Sequence, residues 1–147
     1  MNISKLRSLN ASEWWLLLTT AMLIPAYSVA VRSGLYKPSR WPLGVVRHEG
    51  RPLSRETARR LGALVNTAAR YSPWRPSCLV RSLVLVEQLR RRNMPSNLCI
   101  GVRLSDGQLM AHAWVEQHGV PVNDSVDIAN EFSPIDTELG CLALAHS

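Results

Sequence analysis

The sequence predicts an α+β domain in which helices come first and an antiparallel sheet follows. Apolar residues recur at helical spacing as far as Leu89, whereas apolar and polar residues alternate from Leu98 onwards. Short turns that contain glycine separate the alternating segments, as in antiparallel hairpins. The 147 residues, 46% of them hydrophobic, are sufficient for one domain with its own core.

The first predicted element is a helix over the uncharged, mostly apolar run of residues 14–31. We expect it to begin near Glu13, with Asn10 or Ser12 as its N-cap. Three settings are open for this helix. It packs in or on the domain, it associates with a membrane, or it belongs to a signal peptide that is cleaved near Ala30.

A connection rich in Pro, Arg and Gly is predicted over residues 32–53. We assign residues 1–49 to an N-terminal helical region with its connection and residues 50–147 to the core, and we expect both to form one compact unit. Ser54 is a good N-cap for the next helix, whose apolar positions keep helical spacing until about Tyr71.

A third helix is predicted to begin at Cys78. The two prolines in residues 73–76 favour an extended turn, because a residue that precedes proline avoids the helical conformation. Ser77 then provides the N-cap, and three arginines at residues 90–92 suit the C-terminal end of the helix dipole. Residues 93–95 (Asn-Met-Pro) end the helix.

Three antiparallel strands are predicted after these helices. They cover residues 98–104, 109–116 and 120–124, and turns at residues 105–107 and 117–119 join them.

The C-terminal region is predicted to be helical. Ser133, followed by Pro134 and Asp136, is typical of a helix start, and an apolar, Leu-rich helix would carry Cys141. The three cysteines are widely spaced and form no CxxC motif, so we predict neither a disulfide framework nor a zinc site. Cys99 and Cys141 are therefore expected to be structural, in a reducing, cytoplasmic compartment.

Charge is distributed unevenly along the chain. All 17 Lys and Arg lie at or before Arg103 with only four acids, whereas residues 104–147 carry seven acids and neither Lys nor Arg. Either a basic helical half packs against an acidic sheet half, or a basic face attracts an acidic peptide or partner. No zinc-finger or RNP pattern is present, so a nucleic-acid partner is not expected.

Three residues suggest nucleophilic catalysis. The Cys78 thiol would lie at a helix N-terminus, where free N–H groups and the dipole favour a thiolate and can bind an oxyanion. His112 is the candidate base. If residues 117–119 form a three-residue loop, Asp124 lies opposite His112 with Cβ atoms about 5 Å apart and orients the ring. A two-residue loop would instead place Ser125 opposite His112.

Each of these residues also has a plainer interpretation when it is considered alone. A single cysteine is often a small buried hydrophobic residue, and a histidine in a strand is often structural. Trp74 and Trp114 could wall a cleft or simply belong to the core. The combination of a helix-starting cysteine with a histidine–aspartate pair is what favours catalysis.

The chain closely resembles a known enzyme family over about residues 50–130. The resemblance is carried by residues 74–83 (WRPSCLVRSL), 90–92 (RRR), 100–103 (IGVR), 111–116 (AHAWVE) and 122–124 (VND). The family that these segments resemble is the lasso peptide leader peptidases, also called B2 or microcin-processing proteins, which have a transglutaminase-like core. It implies a papain/transglutaminase-like cysteine protease fold, with Cys78, His112 and Asp124 in the catalytic positions.

The resemblance also implies a substrate and partners. Such an enzyme removes the leader from a ribosomally made lasso precursor peptide, and a separate ATP-using cyclase then closes the ring. In split systems a B1 protein holds the leader, and 147 residues leave no room here for that function. No cofactor and no metal are implied. The alternatives are another transglutaminase-like acyltransferase and a non-catalytic peptide-binding module.

Overall fold

The computed structural model describes residues 10–35, 54–134 and 141–143. Most of the predicted connection therefore lies outside the described residues. Three long helices occupy the predicted positions: α1 (Ala11–Arg32), α2 (Arg55–Tyr71) and α3 (Cys78–Arg90).

The helix starts are fixed by local capping. Ser54 Oγ accepts the Thr57 N–H at the start of α2, and Ser77 Oγ accepts the Val80 N–H at the start of α3, as predicted. Asn10, the first of the two candidates, caps α1 in a capping box with Glu13.

Helix α1 packs against α2 and α3 through polar as well as apolar contacts. The buried Gln88 amide of α3 donates to Thr19 Oγ1 (2.8 Å) and Thr20 Oγ1 (3.3 Å), while Arg60 of α2 pairs with Glu13. These are the contacts expected if α1 packs in or on the domain, which is the first of the three settings proposed for this helix. By length and composition α1 could also cross a membrane, a test that core helices of soluble proteins pass as well.

Glu13 should make the stability of this packing depend on pH. The Asn10 backbone N–H holds the pKa of Glu13 below its ordinary value of 4.5; burial opposes this effect, and Arg60 adds to it. Because the pKa is lower in the folded state, the stabilisation is complete above the unfolded-state pKa and disappears as the pH falls through the folded-state pKa. We expect Glu13→Gln to lower the free energy of unfolding at neutral pH by about 1 kcal/mol.

Urea unfolding over a pH series measures this effect. The difference between wild type and Glu13→Gln should shrink as the pH falls below 4.5. Glu56→Gln, at an exposed position in the first turn of α2, is the matched control and should show little effect. A Glu13→Gln difference that is the same at every pH would contradict the prediction.

Within the described part of the chain, the sheet is antiparallel and has five strands. In spatial order it runs β3-β2-β1-β4, and β5 pairs with the same strand β1. The strands and the short fourth helix are β1 (Asn97–Ser105), β2 (Gln108–Gln117), β3 (Val120–Pro121), α4 (Ile128–Glu131), β4 (Ser133–Pro134) and β5 (Cys141–Ala143).

The turn between β2 and β3 differs from the prediction. Gln117 pairs with Val120, so the loop contains two residues, His118 and Gly119, and the predicted three-residue loop is wrong. Both loop residues have positive φ (51° and 73°), the conformation of a turn whose twist matches antiparallel strands. The third strand also ends at Pro121 rather than at residue 124.

Two further predictions fail in the C-terminal region. Ser133 and Pro134 do not start a helix but form β4, which pairs with Gly101 and Val102. Cys141 lies in β5 rather than in a helix, and its Cα partner on β1 is Cys99. Both changes supply hydrogen-bond partners to the second edge of β1, which would otherwise be exposed. Asp136 lies outside the described residues.

Cys99 is disulfide-bonded, contrary to the prediction that the chain contains no disulfide. Its position on β1 and its burial agree with the structural role expected for it.

The two faces of the sheet pack against different layers. Ala113 and Val115 of β2 belong to the main core with the helices, whereas Trp114 joins a smaller cluster with Phe132. This alternation follows from the pleat of a strand, in which successive side chains point to opposite faces.

Candidate active site

Cys78 is the first residue of α3, as predicted from Ser77. Its thiol is free, and the residue is partly exposed. Val80 and Arg81 donate their backbone N–H groups to the Ser77 side chain and carbonyl. Among the described residues, the backbone N–H groups of Cys78 and Leu79 have no acceptor, so both can bind an oxyanion.

His112 and Asp124 are joined by a short hydrogen bond. His112 Nε2 lies 2.7 Å from Asp124 Oδ2, and Asp124 Oδ1 accepts the Ser125 N–H at 2.9 Å. If the Asp124 carboxylate is ionised it can only accept, so the proton of this bond belongs to Nε2 and a neutral ring has its lone pair on Nδ1. This tautomer suits a general base whose orientation is fixed by a carboxylate.

Asp124 reaches His112 by a route other than the predicted ladder. With the two-residue loop, the residue opposite His112 would be Ser125. The ladder ends first, however: Val122 donates its N–H to the Val115 carbonyl (2.9 Å), and the Asn123 side chain then accepts the Val115 N–H (2.8 Å). The predicted contact is therefore present, although the register from which it was predicted is wrong.

Aromatic rings surround the His112 imidazole. The Trp114 ring stacks nearly parallel to it with centroids 6.4 Å apart, and the Phe132 ring lies at 5.2 Å. The Arg103 guanidinium lies over Phe132, 4.8 Å from its centroid. Gly101 of β1 permits this packing, since a Cβ there would lie 2.8 Å from the Phe132 Cβ.

The candidate nucleophile and the base lie on neighbouring elements. Ser82 Oγ, one turn after Cys78, donates to the carbonyl of Ala113, the residue after His112, at 3.0 Å. This bond fixes α3 against β2. No hydrogen bond joins the Cys78 thiol to the His112 ring within the described part of the chain. The pleat of β2 places His112 on the same face as Trp114 and Phe132, opposite the face that packs on the helices, so a direct Cys78–His112 contact is not a feature of the described residues and would have to form when substrate binds.

A small cleft lies beside the N-terminus of α3. It measures about 130 Å³ and is bounded by the Trp74–Ser77 segment and by the last turns of α1. Trp74 lines this cleft with about half its surface exposed, whereas Trp114 is buried. Of the two tryptophans considered from the sequence, Trp74 is thus the one that walls a cleft, and Trp114 belongs to the core. His118 lies exposed at its turn, away from the pair.

The three arginines at the end of α3 are bound within the fold. Arg90 and Arg91 both pair with the buried Glu87 carboxylate (2.9 and 2.7 Å), and Arg92 donates to the Gln88 side chain and carbonyl. These arginines therefore stabilise the helix end and its contact with α1. Exposed basic side chains are found instead on α2, at positions such as Arg59 and Arg70.

Four residues that support the site were not predicted from the sequence: Gly62, Asn66, Ser82 and Asn123. They connect the segment before Asp124 to α2 and α3. Gly62 gave the only local signal, because a glycine inside an amphipathic helix lowers helix stability unless a close approach requires it. Within residues 10–35, 54–134 and 141–143, no three His, Cys, Asp or Glu side chains are grouped to hold a metal ion.

The chain matches a known protein family over most of its length. Residues 23–137 match the family described as the transglutaminase-like superfamily. The matched segment begins inside α1 and contains Cys78, His112 and Asp124. No curated protein and no solved structure matches the chain significantly. The match, together with three helices followed by an antiparallel sheet, confirms the predicted α+β, transglutaminase-like fold.

Proposed function

Because this chain belongs to the transglutaminase-like superfamily, we propose that it is a cysteine peptidase that removes the leader from a lasso precursor peptide. The superfamily includes cysteine proteases and acyltransferases. The observation that carries the proposal is the hydrogen-bonded His112–Asp124 pair on the strand next to a helix that begins with a free Cys78. The sequence resemblance over about residues 50–130 supports the choice of substrate.

The proposed chemistry is acyl transfer to Cys78. His112 Nδ1 takes the thiol proton while Sγ attacks the carbonyl carbon of the last leader residue, and the N–H groups of Cys78 and Leu79 stabilise the oxyanion. The imidazolium, stabilised by Asp124, then protonates the amine of the core peptide, which leaves. Water attacks the thioester with His112 as base, which releases the leader as a carboxylic acid and restores the thiol.

We further propose that the protein acts with a B1 leader-binding protein and a lasso cyclase. A specific interface usually needs roughly 800 Å² on each partner. A small enzyme that holds only the residues at the cut therefore needs another protein to hold the leader. The proposed location is the cytoplasm, where the precursor and an ATP-using cyclase are present; the Cys99 disulfide removes the argument from reduced cysteines that favoured this compartment.

The deciding experiment incubates the protein with a B1-type partner and candidate precursor peptides, and reads the products by mass spectrometry. A leader with a free C-terminal carboxylate and a core peptide with a free amine would support peptidase activity. Transfer of the leader to an added amine in preference to water would identify an acyltransferase. Intact precursor together with no Cys78 acyl-enzyme would indicate a binding module.

We expect the partner to raise the initial cleavage rate strongly, and we expect salt to reduce that gain. Exposed charges are screened over about 10 Å at 0.1 M salt and over about 3 Å at 1 M. Because the arginines at 90–92 are engaged in the fold, the basic face expected to attract an acidic peptide or partner is tested on α2, where basic side chains are exposed. The double variant Arg59→Glu with Arg70→Glu should reduce the gain in cleavage rate that the partner gives, as high salt does. The variant Arg59→Lys with Arg70→Lys keeps both charges and should show the wild-type gain.

Initial rates with and without the partner, over a salt series, measure both effects. Equal rates in the presence and absence of the partner would refute the dependence itself. A partner effect that salt and charge reversal leave unchanged would refute its electrostatic origin.

A further inference from the structure

The segment that carries Asp124 is held by hydrogen bonds to the preceding residue, Asn123, through both its side chain and its backbone carbonyl. Asn123 Oδ1 accepts the Val115 N–H at 2.8 Å, and Asn123 Nδ2 donates to Ser82 Oγ at 3.2 Å. The Asn123 carbonyl in turn accepts a hydrogen bond from Asn66 Nδ2 at 2.7 Å. Asn123 is thus bound to β2, α3 and α2 at the same time.

Ser82 extends these bonds towards the histidine. Its side chain is fully buried, and its hydroxyl donates to the carbonyl of Ala113, the residue that follows His112. The hydroxyl has one proton, so it donates to Ala113 while it accepts from Asn123, and both of its roles are filled. A continuous path of hydrogen bonds therefore joins the residue before Asp124 to the residue after His112.

Gly62 sets how closely this segment approaches α2. A Cβ at position 62 would lie 2.2 Å from the Val122 carbonyl oxygen and 3.2 Å from the Asn123 Cα. Both are backbone atoms, which cannot turn aside as the end of a flexible side chain can. Glycine is therefore the residue that lets the chain between β3 and Asp124 lie against the helix.

We propose that Asn123, Ser82, Asn66 and Gly62 are positioning residues that hold the Asp124 carboxylate against His112 Nε2. None of the four needs to touch the substrate. Their effect on catalysis rests on the proposed peptidase function, whereas their effect on the His112–Asp124 bond does not. Loss of this positioning should lower kcat with little change in KM, on the order of 100-fold for a displacement of about 1 Å.

The test measures the hydrogen bond directly in the protein without substrate. The 15N chemical shift of His112 Nε2, read through two-bond correlations from the ring protons, reports hydrogen bonding at that nitrogen. Asp124→Ala defines the shift of the unpaired ring. Gly62→Ala and Asn123→Ala should move the shift most of the way to that value, and Asn66→Ala should move it part of the way.

Thr67→Ala is the matched control on α2. Among the described residues, the Thr67 hydroxyl bonds to the Ala63 carbonyl of its own helix and to no group of the site, so the Nε2 shift and the cleavage rate should remain those of wild type. Asn66→Ala removes one hydrogen bond without creating a clash, so it also serves if Gly62→Ala does not fold. A wild-type Nε2 shift in folded Asn123→Ala and Asn66→Ala proteins would overturn the inference.

The two proposals can fail separately. If wild type cleaves no precursor but the Nε2 shift responds as expected, the peptidase function is wrong and the positioning role stands. If wild type cleaves precursor and the Asn123→Ala and Asn66→Ala proteins keep both the wild-type Nε2 shift and the wild-type kcat, the positioning role is wrong and the peptidase function stands.

Discussion

Cys78→Ala is expected to cleave no precursor while keeping the wild-type fold. Cys78 Sγ is the atom that would form the acyl-enzyme, and no neighbouring group can replace a thiolate as the nucleophile. Alanine is a good helix former, so the start of α3 should persist with its Ser77 cap. The measurement is product formation by mass spectrometry over long incubation, with circular dichroism and thermal unfolding to confirm the fold.

A second cysteine provides the control for this experiment. Cys99→Ala should keep cleaving at temperatures at which it is folded, although loss of its disulfide should lower the free energy of unfolding by about 2–5 kcal/mol. An electrophilic peptide that mimics the leader C-terminus should label Cys78 alone. Appreciable turnover by Cys78→Ala would rule out this residue as the nucleophile.

Substitutions in the His112–Asp124 pair are expected to have the next largest effects. His112→Ala removes the group that takes and returns the proton and should be nearly inactive. Asp124→Asn keeps the shape but offers an amide to Nε2, which allows the tautomer with the proton on Nδ1. By analogy with other triads, we expect kcat to fall by about 10²–10⁴-fold.

Two nearby residues of the same types serve as matched controls. His118→Ala changes an exposed histidine at a turn, and Asp127→Asn changes an exposed aspartate that makes no side-chain cap. Both should retain most of the activity, as measured by kcat and KM with the same precursor. If His118 were required and His112 dispensable, the assignment of the base would be wrong.

The contact between Asp124 and His112 is present, although the strand register from which it was predicted is not. The contact with His112 was predicted from a strand register that assumed a three-residue loop. The loop has two residues, and the ladder stops at Val122, where the Asn123 amide replaces the next backbone partner. The prediction was therefore correct in its result but not in its reason, because a one-residue change of register was offset by the departure of the chain from the ladder.

In the C-terminal region the sequence pattern was clear but the predicted structure was wrong. Ser133, Pro134 and Asp136 have the residue types of a helix start, and this local preference was overridden for residues 133–134. The free edge of β1 offers unpaired N–H and C=O groups, and pairing them with a later segment satisfies both chains. Such pairing joins residues about thirty to forty-five positions apart, so no local pattern encodes it.

The sequence alone determined the features that depend on neighbouring residues. These are the three helices with their caps, the two main strands, and the position of Cys78 at the start of α3. Capping, proline restriction and alternation act over a few residues, so they can be read directly.

Only the tertiary structure decided how the site is assembled. The Asp124 carboxylate meets His112 because two residues of a helix about sixty positions earlier hold the Asn123 backbone: Gly62 leaves room for it, and Asn66 donates a hydrogen bond to its carbonyl. Ser82, forty-one residues earlier, holds the Asn123 side chain. These contacts depend on how α2 and α3 pack on the sheet, and this packing is set by the burial of the whole core rather than by any short stretch of sequence.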